Sequence, residues 1–199
     1  MNPWNERFKQ SEFVYGKEPN EFIREQADRF TKGANIAAYA EGEGRNAVYL
    51  ASRGFSVTAY DYAQSGLNKT EQLAKQNGVK LQTKLKNLIE DPLLQNTYDG
   101  AIMIFGHFPK ESQLHVLNKI MASLKAGGLF LFEVYEEKQL TYGTGGPKEL
   151  SFLYKNSDLL KWSEQFEVIH FFSGEAFRKE GMLHTGKGNI IQGIVKKPI

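Results

Sequence analysis

The sequence predicts an α/β fold, a doubly wound seven-stranded sheet that is mostly parallel and ends in an antiparallel hairpin. Three observations carry this prediction. Short apolar runs suited to strands buried on both faces alternate with segments of helical period, the rhythm of a parallel sheet covered on both sides. A glycine turn joins the first of these runs to the first helical segment. The last two runs lie too close together for a helical crossover and so pair antiparallel.

The first strand is Ile36 to Ala40. After the turn, Arg45 to Arg53 reads as a helix with Ala47, Leu50 and Ala51 on one face, stopped by Gly54. Phe55 to Tyr60 alternates and is β-branched, a second strand; Ser65 to Gln76 presents Leu67, Leu73 and Ala74 as a second helix and closes on Asn77-Gly78. Val79 to Leu85, Tyr98 to Phe105 and Gly128 to Tyr135 supply three further strands, with amphipathic Ser112 to Leu124 between the last two. A short helix near Asp158 to Ser163 precedes the terminal pair, Phe166 to Phe172 and Asn189 to Lys196. Residues 1–30 stand outside the rhythm and are expected to be a helical lid across the ligand edge of an α/β core at 34–199, within one domain spanning 1–199.

Composition narrows the function. The 199 residues are 41% hydrophobic, enough for one domain core, and the formal charge of +2 offers no basic excess for sequence-independent phosphate binding, so no nucleic-acid partner is expected. Zero cysteines exclude a disulfide framework, a cysteine-ligated zinc site and a thiol nucleophile. No apolar run reaches membrane-spanning length and the N-terminus is polar, which leads us to expect a cytoplasmic protein with no membrane partner. The pattern contains no metal-site spacing, and it leaves the oligomeric state open.

The chemistry lies between the first strand and its helix. Glu41-Gly42-Glu43-Gly44-Arg45-Asn46-Ala47 is a G-x-G-x-x-A turn, in which glycine allows tight curvature and close approach of a ligand to the helix N-terminus. Asp61 ends the second strand, where a carboxylate faces the crevice and can accept hydrogen bonds from ribose hydroxyls. The turn fits either a dinucleotide or S-adenosylmethionine. No Tyr-x-x-x-Lys pair occurs, which counts against an NAD(P)-dependent oxidoreductase of the short-chain type.

The run EGEGRNAVYLASRGFSVTAYDYAQSGLNKTEQLA resembles the first half of a class I S-adenosylmethionine-dependent methyltransferase, in particular the tellurite-resistance and thiopurine-methyltransferase-like branch of this Rossmann-like fold. The resemblance continues through Tyr98-Asp99-Gly100, Leu124 to Gly128 and Thr144 to Pro147. At the N-terminus, Trp4 to Phe8 and Tyr15-Gly16 through Pro19-Asn20 are similar to the family's lid segment. It implies S-adenosyl-L-methionine as cofactor and a small-molecule acceptor: a thiol, a chalcogen oxyanion or another small nucleophile. By position it places Tyr15 in the lid, Glu41, Gly42, Gly44 and Arg45 near the methionine moiety, Asp61 on the ribose and Tyr62 against the adenine. Asn87 and Leu88 become the pair reading the adenine edge, and Phe105 stands beside the sulfonium.

Where an acceptor needs a base, His184 is the first candidate and His107 the second, because imidazole titrates nearest neutrality. Arg178 and Lys179 read either as charge near the acceptor or as a solvated basic pair. Thr141 to Pro147 reads as a mobile substrate loop or as a plain connection. Trp4, Phe8, Phe13 and Tyr15 predict an N-terminal segment closing over the cofactor. The chain departs from the family pattern at Ala38, where an acid is usual, and at Ala40, where glycine is usual. These departures leave a non-catalytic cofactor-binding protein as an alternative.

Overall fold

The computed structural model describes residues 2–181 and 184–199, with the backbone alone at His184. Seven strands form one sheet: β1 (Asn35–Tyr39), β2 (Ser56–Asp61), β3 (Gln82–Leu85), β4 (Tyr98–Ile104), β5 (Leu124–Tyr135), β6 (Glu167–Glu180) and β7 (His184–Lys196). Their order is β3-β2-β1-β4-β5-β7-β6. The first five pair in parallel, while β7 joins β5 and β6 antiparallel. The predicted α/β architecture is therefore present, hairpin included.

Two-residue periodicity divides the core between the faces of the sheet. Ala37, Tyr39, Ala101, Met103, Phe130 and Phe132 face one side, where Val116, Leu117 and Ile120 of α5 (Lys110–Ser123) and Trp162 of α6 (Asn156–Ser163) cover them. Ile36, Ala38, Ile102 and Leu131 face the other, under Ala47 and Leu50 of α3 (Arg45–Ser52) and Phe22 and Ile23 of α2 (Glu21–Gln26). Burying tyrosine requires partners for its hydroxyl. Tyr39 donates to Ser123 Oγ at 2.8 Å, and the Tyr60 and Tyr98 hydroxyls share a hydrogen bond at 2.6 Å.

Three expectations need correction. The third strand begins at Gln82 and not at Val79, because Val79 and Leu81 pack instead beside Leu73 and Ala74 of α4 (Gln64–Gln76). The terminal strands are longer than their apolar runs: β6 continues to Glu180 and β7 starts at His184. Pairing of β7 with β5 stops at Ile190, so the rest of the hairpin leaves the sandwiched sheet as an arm and needs no apolar run. Finally, residues 2–30 are helical only at α1 (Pro3–Arg7), α2 and a turn at Ala27–Arg29; residues 9–19 form an irregular strap.

The strap is pinned by side chains. Ser65 N and Oγ donate to Asn5 Oδ1 and Asn5 O at 2.9 and 2.7 Å, Asn2 Nδ2 donates to Tyr62 O at 2.8 Å, and Lys69 Nζ donates to Glu12 O at 2.6 Å. These bonds seat α1 on the start of α4, above the C-terminal ends of the strands.

Candidate functional site

A cavity of about 980 Å³ opens at the C-terminal ends of β1, β2 and β4, where the strand order reverses about β1. Reversal leaves a crevice because the connections on either side of that point run to opposite faces of the sheet. The floor is the turn from Ala40 to Asn46 with Asp61 and Tyr62. Trp4, Arg7, Phe8 and Tyr15 form the roof, residues 86–89 one end, and residues 104–109, 143–149, Phe152 and Thr185 the remaining wall.

The turn has the conformation that glycine favours. Ala40 sits at φ +51°, Gly42 at +64° and Gly44 at +89°. Ala40 thus keeps the left-handed backbone of the glycine it replaces, at a strain of roughly 1 kcal/mol. Gly44 has no such latitude: a Cβ there would lie 2.6–2.7 Å from Thr70 Cγ2, Oγ1 and Cα. Gly44→Ala is expected to lower unfolding stability by about 2–5 kcal/mol through dihedral strain and overlap. A urea titration showing a loss within 1 kcal/mol (about the strain of one residue) would contradict this close packing.

Glu41 caps α3. Its Oε1 accepts from Asn46 N at 2.9 Å and Ala47 N at 2.7 Å, which satisfies helix donors that Gly44 cannot reach. The carboxylate is 8% exposed, and burial pushes it up to about 7 despite those bonds and the Arg45 charge. Asp61 is 6% exposed, its Oδ2 accepting from Gly42 N and its Oδ1 from Ala63 N, both at 2.8 Å. Burial raises it to about 6. Each oxygen keeps a second lone pair for a ligand hydroxyl. Tyr62 is 41% exposed beside it, on the cavity wall.

The other acidic residue of the turn has a different partner. Glu43 pairs with Lys69 at 2.7 Å and accepts from Tyr15 N at 3.2 Å, so it anchors the strap and holds Tyr15 over the cavity. Arg45 meets Glu180 at 2.5 Å. At the far end, Asn87 Oδ1 accepts from Ile89 N at 3.0 Å in a tight turn, with Asn87 and Leu88 both on the cavity wall.

Rings line this remaining wall. Phe105, in an unusual left-handed conformation at φ +52°, stacks on Tyr135 at 4.4 Å; His107 lies 6.3 Å from Tyr135 on near-parallel planes and 5.6 Å from Trp4. Burial, reinforced by the Arg7 charge, pulls His107 down to about 3. That value makes it a neutral ring in a stack and a weak base, unlike the expectation from its sequence. His184 pairs by backbone with Glu180 at the start of β7; its side chain lies outside the described residues, as does the test of its role. Of the roof aromatics, Trp4, Phe8 and Tyr15 reach the cavity, whereas Phe13 turns away to pack over the Lys69 ammonium at 5.2 Å.

Two further readings change. Arg178 is no solvated residue: its guanidinium donates to both oxygens of Glu133, at 2.9 and 2.5 Å, while Lys179 is exposed. The segment from Thr141 to Pro147 is tied down, since Gln139 Nε2 donates to Gly145 O at 3.1 Å and Gln139 Oε1 accepts from Asn189 N at 2.7 Å.

Sequence reasoning missed the network behind the turn. Glu133, 0% exposed, takes Arg178, Gln192 at 2.7 Å and Asn20 Nδ2 at 3.0 Å; Asn20 Nδ2 also donates to Glu180 at 3.0 Å, and Asn20 N to Asn46 Oδ1 at 2.8 Å. Two carboxylates and two guanidiniums thus compensate each other and join strap, turn and hairpin arm. The one signal in sequence was Glu133 itself, a lone acid inside the run GLFLFEVY. No group of three metal-ligating acids or histidines occurs among the described residues, and none of their helices is long and apolar enough to cross a membrane.

Residues 36–128 match a family described as methyltransferase domain. The match takes in just under half of the chain. The chain's fold is shared with a methyltransferase from Methanosarcina mazei described as SAM-dependent, at a TM-score of 0.72 and 16% identity over 92% of this chain and 99% of that one. TehB from Haemophilus influenzae superimposes at 0.74 with 14% identity, over 98% of this chain and 65% of its own. In sequence, the chain is 31% identical over 157 residues to a ubiquinone biosynthesis O-methyltransferase of Rickettsia felis, a match covering 74% of this chain. The chain spans 63% of that relative's length. These likenesses show a shared fold, and none of them singles out the tellurite-resistance branch.

Proposed function

We propose that this chain transfers a methyl group from S-adenosylmethionine to a small-molecule acceptor. The observation that carries the reading is the convergence of the glycine turn, the Glu41 and Asp61 carboxylates and the 87–89 loop on one cavity. When bound there, S-adenosylmethionine supplies a methyl group already activated by its sulfonium. The donor set fits it: buried acceptors on the floor suit ribose hydroxyls and an ammonium, and 980 Å³ holds the cofactor with space left for a small partner.

Asp61 would hold the ribose, with Tyr62 against the adenine and Asn87 and Leu88 at its edge. Glu41, three residues beyond the position where the family's acid is usual, would hold the methionine ammonium from the turn that Gly42 and Gly44 shape. Arg45 keeps that turn in place through Glu180. Tyr15 and Phe105 bound the methionine end and the reacting centre. Methyl transfer is a displacement in which the protein's main tasks are alignment and exclusion of water, and the strap and stacked rings serve both.

For the acceptor we favour a soft nucleophile, a thiol or a chalcogen oxyanion of the kind the tellurite-resistance resemblance implies. His107, held well below the usual imidazole range by burial, is a weak proton acceptor, and soft nucleophiles need no base. A hydroxyl acceptor, suggested by the name of the rickettsial relative, would need a base, for which His184 is the candidate. S-adenosylhomocysteine at 100 times its dissociation constant is expected to add about 2.7 kcal/mol of stability, a melting shift of roughly 5–10 °C. NADH should give none. A shift with NADH, or none with S-adenosylhomocysteine, would overturn the proposal.

A further inference from the structure

The loop between β3 and β4 is held by a cation that takes no part in lining the cavity. Lys119, on α5, donates from Nζ to Leu88 O at 2.7 Å, Ile89 O at 3.1 Å and Asp91 O at 2.7 Å. His115, one turn earlier, lies 3.3 Å from the same Ile89 carbonyl. Three carbonyls aimed at one point bring the negative ends of their dipoles together, an arrangement that repels itself unless a cation occupies the focus. The loop closes on itself as well: Asp91 Oδ2 accepts from Asn87 N, and Asp91 N donates to Asn87 O, both at 2.8 Å. Its carbonyls at 88, 89 and 91 are therefore drawn towards α5, while residues 87–89 line the cavity on the other side.

We propose that Lys119 is a positioning residue for the adenine-facing loop, setting affinity for the adenosyl group from outside the cavity. This rests on the S-adenosylmethionine reading above. Without the ammonium the three peptide planes would rotate apart, and the groups on their cavity side would move with them.

Lys119→Met keeps the apolar stem and removes the charge. Isothermal titration is expected to show S-adenosylhomocysteine and 5′-methylthioadenosine, which share the adenosyl group and its 5′-sulfur but not the amino-acid chain, both weakened by about tenfold, the scale of a lost charged hydrogen bond. Asn118→Ala is the control: it deletes the acceptor of the Trp162 Nε1 hydrogen bond on the same helix, at 2.8 Å, without touching the loop. It should lower the melting temperature and leave both affinities unchanged. Lys119→Arg, which retains a cation, should recover most of the loss, and it also reports on the clamp if the methionine variant does not fold. Affinities of Lys119→Met within twofold of the parent (about 0.4 kcal/mol), or an equal loss in Asn118→Ala, would overturn the proposal while leaving the cofactor reading intact. Failure of the parent protein to bind either nucleoside would instead remove the reading on which it rests.

Discussion

Asp61→Asn is expected to weaken S-adenosylhomocysteine binding by at least about 30-fold, the equivalent of roughly 2 kcal/mol in charge-assisted hydrogen bonds to the ribose. The carboxylate already accepts from Gly42 N and Ala63 N, so the amide must turn its NH₂ towards one of these donors. Part of the effect therefore falls on the fold. Measuring the unfolding free energy of the ligand-free variant separates the two, because a purely structural Asp61 would lower stability and leave the dissociation constant of the folded fraction unchanged. Equal affinity in parent and variant would remove Asp61 from the site.

The second large effect is a pH dependence of opposite sign in the free and the bound protein. Glu41 and Asp61 are both raised by burial, to about 7 and about 6, from ordinary values of 4.5 and 3.8. Between those limits the folded protein holds protons that the unfolded chain has released, so this contribution is complete below about pH 4 and is lost as pH rises through 6–7. At about 1.4 kcal/mol per unit the two carboxylates together account for roughly 3–5 kcal/mol, less than a simple sum because part of the Glu41 rise comes from the Asp61 charge and is not independent of it. A ligand that brings an ammonium to Glu41 and hydroxyl hydrogens to Asp61 reverses the preference. It binds the ionised carboxylates, displaces their protons, and gains affinity as pH rises towards 7. The melting shift produced by S-adenosylhomocysteine should therefore be markedly larger at pH 8 than at pH 5.5, and Glu41→Gln should flatten the upper part of that profile. A shift independent of pH would show that neither carboxylate meets the ligand's charge.

What could be read from the chain alone was what is local along it. The order strand, glycine turn, helix, strand, acid occupies residues 36–61, and the structure brings its two ends together at the 2.8 Å bond from Gly42 N to Asp61. The roof aromatics were legible because such rings are uncommon in an idle tail, although Phe13 shows that ring content does not say which way a residue faces. The hairpin arm was not legible, since its outer part pairs with one neighbour only and the residues it buries, Arg178 and Glu180 among them, are polar and leave no apolar pattern. Nor was the network of Asn20, Arg45, Glu133, Arg178 and Glu180, whose members approach only through the folded sheet. The environment of His107 escaped for the same reason: its titration depends on Trp4, Tyr135 and Arg7, none of which its sequence neighbourhood reveals.

On the proposed reading Glu41 would combine two tasks that are usually apart, capping a helix N-terminus and meeting a ligand. A side chain locked by Asn46 and Ala47 has already surrendered its rotational freedom when a ligand arrives, so none is lost on binding. The floor of the chamber is thus preorganised around Glu41, and on that reading whatever adjustment accompanies entry and exit falls to the cover above it.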